Sequence, residues 1–204
     1  MHIQRMLPKH IESVVRVHLE SFPGFFLSSL GPGFLRLFYQ GVLNDETGIA
    51  VIAEREDVVL GFVCGSNAPQ GFYRRLFQKQ WWRFGWAAMG ALARRPWMVR
   101  RFLGAVRMRV VSEDAAPAAE LMSLAISPHA QRQGLGGDLV LRFLAEARSL
   151  GASRVTLTTD RQANQHVNSF YHRLGFALAA SFVTNTGREM NRYEINTSMI
   201  SSIG

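Results

Sequence analysis

The sequence holds a single cysteine, Cys64, in 204 residues, so no intramolecular disulfide is available and the chain suits a reducing compartment. It also lacks a long apolar run. The longest, around Trp81 to Ala93, is interrupted by Arg83 and falls short of the roughly 20 residues that a membrane span needs. The opening MHIQRMLPKHIESVV has no apolar stretch behind a basic cluster, so no signal peptide is read and a cytoplasmic protein is expected. The six histidines, at positions 2, 10, 18, 129, 166 and 172, show no i, i+4 ligand spacing. With one cysteine beside them, they predict no metal site.

Acidic residues are missing from one long stretch. Between Val58 and Ser112 there is none, while ten of the 23 Lys and Arg fall there: Arg74, Arg75, Lys79, Arg83, Arg94, Arg95, Arg100, Arg101, Arg107 and Arg109. Elsewhere 13 basic residues face 15 acidic ones, so the net charge of +8 belongs to one segment of a near-neutral chain. Apolar residues at 48% and charged residues at 19% are ordinary for a globular chain, and the length suits a single domain over 1–204.

Periodicity predicts a strand over 3–7, then a helix from Pro8 to Leu19 with Ile11, Val14, Val15 and Leu19 on one face. A second helix is predicted from Pro32 to Leu43. Ile49 to Ala53 and Val58 to Cys64 read as strands around the charged turn Glu54-Arg55-Glu56-Asp57. The basic segment, about 71–108, reads as helical with breaks near Gly85 or Gly90 and at Pro96, and it holds all four tryptophans: Trp81, Trp82, Trp86 and Trp97. A strand from Glu120 to Ile126, a helix from Gly136 to Leu150, a strand from Val155 to Thr158 and a helix from Val167 to Leu174 follow. Ala177 to Thr184 and Arg192 to Asn196 read as the last strands.

The most informative stretch is the loop Pro128-His129-Ala130-Gln131-Arg132-Gln133-Gly134-Leu135-Gly136-Gly137 between a strand and a long helix. Such a loop offers unpaired backbone N–H groups and the positive end of a helix dipole to an anion. Glycines let the backbone approach a phosphate closely, and Arg132 adds a permanent positive charge. The Gly-Lys-Ser/Thr of a P-loop is absent, and Gly134-Leu135-Gly136-Gly137-Asp138-Leu139 lacks the last glycine of a dinucleotide fingerprint.

Gln131-x-x-Gly134-x-Gly136 matches a Gln/Arg-x-x-Gly-x-Gly/Ala signature. Further on, Asn164 is followed seven residues later by Tyr171 and then by Gly175-Phe176. With these two motifs, residues 120 to 184 resemble the GNAT superfamily of N-acetyltransferases, and residues 1 to 65 follow its strand and helix order. The resemblance implies an α/β (α+β) fold with a mixed central sheet of about six or seven strands flanked by helices. The basic helical insertion would lie between the third and fourth strands. It implies acetyl-CoA as cosubstrate, no metal, and direct transfer of the acetyl group to an amine. Gln131, Arg132, Gln133, Gly134, Leu135, Gly136 and Gly137 would grip the pyrophosphate. Leu124, Ala125 and Ile126 would run beside the pantetheine arm, and Asn164 would hydrogen-bond the cofactor chain or cap its helix.

Tyr171 either protonates the departing thiolate or only packs beside Phe170 and Phe176. Glu120 stands where many family members keep a carboxylate base, and is otherwise a solvated strand end. His166 and Asp160 are weaker candidates for that base, and His129 neighbours the phosphate loop. The basic segment admits three readings: a solvated arginine face over a packed core, a lid whose arginines clamp an anionic acceptor such as a nucleotide-linked amino sugar, or an attachment to an anionic membrane, with nucleic acid less favoured. Alternatives to a small-molecule acceptor are a protein N-terminus or lysine. A non-catalytic acetyl-CoA-binding protein, its basic segment on membrane or nucleic acid, is the reading from another class.

Overall fold

The computed structural model describes residues 1–78, 82–87 and 118–202. In chain order the elements are β1 (His2–Arg5), a 3-10 turn (Pro8–His10), α1 (Ile11–Ser21), α2 (Phe26–Ser29), α3 (Pro32–Asn44), β2 (Gly48–Arg55), β3 (Val58–Ser66) and α4 (Phe72–Gln78). After these come β4 (Ala118–Ile126), α5 (Leu135–Ser149), β5 (Arg154–Asp160), α6 (Gln165–Arg173), β6 (Ala177–Val183) and β7 (Glu189–Asn196). The seven strands form one sheet in the order β1-β2-β3-β4-β5-β7-β6. Neighbours run antiparallel except β4 and β5, which are parallel. This is the mixed sheet flanked by helices that the sequence implied.

Both faces of the sheet are covered, which is why β2 reads as an unbroken apolar run rather than an alternating one. Ala50 and Ile52 point into a core shared with Val14, Val15 and Val17 of α1 and Phe34, Leu35, Phe38 and Tyr39 of α3. Ile49, Val51 and Ala53 point the other way, into a core shared with α5 and α6. The stripe predicted on α5 is buried as expected: Leu139, Val140, Phe143, Leu144 and Ala147 are each fully buried. Full burial of a Leu or Phe contributes about 2 kcal/mol, against about 1 kcal/mol lost at each of Gly136 and Gly137. Packing therefore holds α5 in place even though its first turn is poor in helix formers.

Several expectations shift: β1 ends at Arg5 rather than at residue 7, β7 begins at Glu189 rather than Arg192, and the connection before α3 holds the short helix α2. The helix expected from Pro8 starts as a 3-10 turn, with the Leu7 amide donating to His10 Nδ1 at 3.0 Å, and becomes α-helical only at Ile11. Residues 82–87 are helical through Gly85, so the break expected there does not occur. Gly90, Pro96, Trp81, Trp97 and the remainder of the expected insertion lie outside the described residues. The described start of that segment is anchored: Phe72, Leu76 and Phe84 are buried in the α1–α3 core. Arg75 is committed to the fold, donating to Asp45 (2.9 Å), to Thr47 Oγ1 (2.9 Å) and to the Ala68 carbonyl (3.0 Å).

Inside that core His18 Nδ1 and the Tyr39 hydroxyl share a hydrogen bond of 2.6 Å, and burial holds the imidazole down at about 4. A depressed histidine is neutral in the folded protein, while the unfolded chain takes up a proton below about 6.5. Its contribution is present above pH 6.5 and is lost as the pH falls toward 4. Urea unfolding across that window is expected to show a loss on the order of 2–3 kcal/mol. A His18→Asn variant, which does not titrate, flattens that limb of the profile.

Candidate active site

The parallel pairing of β4 and β5 covers only Ala118↔Arg154, Ala119↔Val155 and Glu120↔Thr156. Both strands continue past this point. From Leu121 to Ile126 β4 is held by β3, and from Leu157 to Asp160 β5 is held by β7. The facing edges of β4 and β5 thus separate into a cleft in the middle of the sheet. Backbone N–H and C=O groups along those edges have lost their ladder partners, which is the condition for an extended ligand to pair with them.

A bulge sits where the separation begins. Cys64 pairs with Ser123 but Gly65 pairs with Leu121, so Met122 is the extra residue on β4. A bulge adds twist and bends its strand, turning β4 away from β5. Gly65 makes it possible: a Cβ there would stand 2.0 Å from the Glu120 carbonyl oxygen and 2.8 Å from Phe143 Cζ. Sequence reasoning passed over Gly65 and Met122. The available signal was a glycine inside an otherwise apolar strand, a usual mark of a bulge or close backbone approach.

Past the end of β4 the loop places its glycines at the mouth of the cleft. Arg132 (φ +62) and Gly134 (φ +80) both adopt the left-handed conformation, on either side of Gln133. Gly134 is the N-cap of α5 and provides no side-chain cap. Its carbonyl accepts from the Gly137 amide (2.9 Å) and the Asp138 amide (3.3 Å), so the orphan donors of the helix are the amides ahead of these. Gln131, Arg132, Gln133 and Gly134 are exposed and Leu135 is buried. A Cβ on Gly136 would come within 3.3 Å of Phe170 Cζ, so this glycine lets α5 lie close against α6. The Gln131 side-chain amide lies 3.4 Å from the Ile126 carbonyl, which also accepts from Ser21 Oγ at 3.1 Å. The C-terminal end of α1 is thereby tied to the end of β4.

Tyr171 lies in the core on the α5–α6 face, ringed by Phe170 (5.0 Å between centroids), Phe176 (5.5 Å) and Tyr193 (6.5 Å). Burial pushes its phenol well above the ordinary value, so the hydroxyl keeps its proton throughout the neutral range. Glu120 sits on the opposite face of the sheet. Its neighbours Ala119 and Leu121 point into the α5 core, so strand alternation turns Glu120 toward the α1–α3 side. Met122 packs on that side as well, with the Tyr73 hydroxyl 4.0 Å from its sulfur. Leu124 and Ile126 pack against the α5 core and Ala125 is buried in the other.

At the β5 end of the cleft, Asn164 and Asn168 donate to the Asp160 carbonyl at 3.3 and 3.1 Å, and Thr159 Oγ1 donates to Asn168 at 2.5 Å. Asn164 occupies the N-cap position of α6 without making a side-chain cap. The Asp160 carboxylate is held by Arg188 through both oxygens (2.7 Å each). His166 is exposed and, with Arg161, Gln162, Ala163 and Gln165, lines an open depression of about 590 Å³ just beyond β5. His129 is exposed in the turn Pro128–Ala130. Burial pushes the Cys64 thiol up to about 12, which removes it as a nucleophile. Among the described residues no group of three or more His, Cys, Asp or Glu is placed to hold a metal ion.

Comparison with known proteins agrees with this architecture. A family model described as "Acetyltransferase (GNAT) family" matches residues 11–176. A search of curated proteins finds no match. Among solved structures, an aminoglycoside 6'-N-acetyltransferase complexed with coenzyme A superposes with a TM-score of 0.64 at 13% identity, covering 97% of each chain. The ribosomal-protein-S18-alanine N-acetyltransferase from Escherichia coli gives a TM-score of 0.57 at 14% identity, over 96% of this chain and 93% of that one. An N-acetyltransferase from Staphylococcus aureus Mu50 gives 0.60 at 14% identity, over 96% and 98%. At such identities the likeness establishes the fold and leaves the acceptor open.

Two glycines test this geometry separately. Gly65→Ala forces the bulge to move, at a cost of about 2–3 kcal/mol in thermal or urea unfolding. Gly134→Ala meets no neighbour within 4 Å but sits at positive φ, so about 1 kcal/mol is expected there.

Proposed function

The chain belongs to the GNAT acetyltransferase family, and from that premise we propose that it transfers the acetyl group of acetyl-CoA to an amine by direct attack. The observation that carries this reading is the cleft between β4 and β5, opening beside the uncapped N-terminus of α5. The pyrophosphate is assigned to the backbone amides of Gln133, Gly134, Leu135 and Gly136, with Gln131 and Arg132 beside them and Gly137 giving close approach. Two negative phosphates at the positive end of a helix are the arrangement that helix termini favour. The pantetheine arm is assigned to the edge of β4 over Leu124, Ala125 and Ile126, with Asn164 on the far side of the cleft. Backbone near the Met122 bulge is the place where donors would meet the thioester carbonyl oxygen.

The division of acid and base between two faces supports this assignment. Glu120 takes a proton from the acceptor ammonium, directly or through water, on the α1–α3 side. The freed nitrogen lone pair forms the C–N bond as the C–S bond breaks. Tyr171, on the α5–α6 side, gives its proton to the departing sulfur and regains one from the acylated nitrogen by way of solvent. Products are the amide, free thiol and one released proton. The phenol is protonated at neutral pH, as a donor must be, while its burial also makes it a weaker acid than a free phenol.

For the acceptor, the excess of arginine in 71–108 favours an amine that also bears an anionic group, as a nucleotide-linked amino sugar does. Arg75 is excluded from that clamp by its contacts with Asp45 and Thr47. A screen of amino sugars, their nucleotide-linked forms, polyamines, amino acids and peptides, read by free-thiol release, tests the proposal. Turnover with an anionic amine supports it. Binding of acetyl-CoA with no turnover across the panel contradicts the enzyme reading. With the acceptor found, Tyr171→Phe is expected to lower kcat by about 10- to 100-fold while leaving acetyl-CoA affinity within about twofold. An unchanged kcat removes Tyr171 from the reaction.

A further inference from the structure

The described part of the basic segment presents two aromatic faces of opposite fate. Phe84 is buried, its ring 5.1 Å from Phe34 of α3, and Ala87 packs near Gly33. Trp82 and Trp86, one helical turn apart on the other face, are 56% and 70% exposed. Phe84 therefore clips residues 82–87 to the protein while two indoles are left in water. Phe25, in the connection leading to α2 and α3, is 46% exposed. Exposed Arg74 and Arg83 belong to the same stretch. No acidic residue occurs in 21–44, which holds α2 and α3, nor between Val58 and Ser112. The sequence around the exposed indoles thus carries cations without the carboxylates that ordinarily intersperse a solvated surface.

We propose that this face, built on Trp82 and Trp86, docks the protein on an anionic lipid surface. Exposed tryptophan with arginine is the composition that settles at the headgroup level, where an indole has an apolar body and a polar N–H. Exposed Arg74 and Arg83 complement an anionic leaflet, each cation near the surface adding to attraction that salt screens. Among the described residues no helix is long and apolar enough to cross a membrane, so the association is peripheral. The docking face lies opposite the buried side of 82–87, and it does not depend on the acetyl-transfer reading.

Flotation of the full chain with vesicles of phosphatidylcholine alone, or with about 30% phosphatidylserine, tests the proposal. Binding to the anionic vesicles is expected to be about tenfold stronger, and to fall about tenfold between roughly 0.1 and 0.5 M NaCl. A Trp82→Ala/Trp86→Ala double variant is expected to lower it about tenfold with an unchanged unfolding temperature, and the Tyr/Tyr variant to retain most of it. Equal binding to both vesicle types, or an unaffected double variant, overturns the proposal. Tighter binding to a single-stranded oligonucleotide than to anionic vesicles at equal salt overturns it in favour of nucleic acid. A dimer in solution that the double variant abolishes overturns it in favour of a second copy.

Discussion

Parallel strands ordinarily pair along their whole shared length, because each unpaired amide and carbonyl in a sheet interior is costly. Here β4 and β5 pair at three positions and then part. Neither strand is free to swing back, since β3 grips β4 along Gly61–Ser66 and β7 grips the whole of β5. The bulge at Met122 bends β4, while the Asp160 carbonyl, held by Asn164 and Asn168, fixes the far end of β5. Among the described residues, the facing edges of β4 and β5 have no ladder to each other beyond Glu120 and Thr156. The proposed assignments rest on a ligand filling that gap.

In the proposed reaction the separation divides the work: Glu120 lies on the side of α1 and α3, and Tyr171 lies on the side of α5 and α6. A direct transfer between an amine and a thioester needs a proton accepted on one side and donated on the other, and a cleft through a sheet separates the two tasks. Burial keeps the Tyr171 phenol protonated throughout the neutral range. The N-terminus of α5 adds a fixed positive end at the mouth, held by a buried stripe rather than by capping.

Much of this was legible in the sequence, and the reason is local. The stripe of α5, the apolar runs of β2 and β3, and the Gly134–Gly137 loop each express a preference that neighbouring residues do not oppose. Gln131 and Gly134 lie just past the end of β4 and Asn164 just past the end of β5, as their places in the chain require. The bulge was not legible, because it depends on the register between β3 and β4, and register is a property of two strands together. Gly65 carried the hint alone. The partnership of Asp160 with Arg188 was likewise hidden, since the residues lie 28 positions apart and meet only across the loops that follow β5 and precede β7. The exposed indoles of Trp82 and Trp86 became distinct from the buried Phe84 only once the helical phase of 82–87 was set against α3.

Amide hydrogen exchange with and without acetyl-CoA tests the central claim most directly. The account predicts added protection in peptides spanning Leu121–Ile126 and Gln131–Gly136, with little change along β2. Binding detected by calorimetry that leaves both stretches exchanging as before would contradict it.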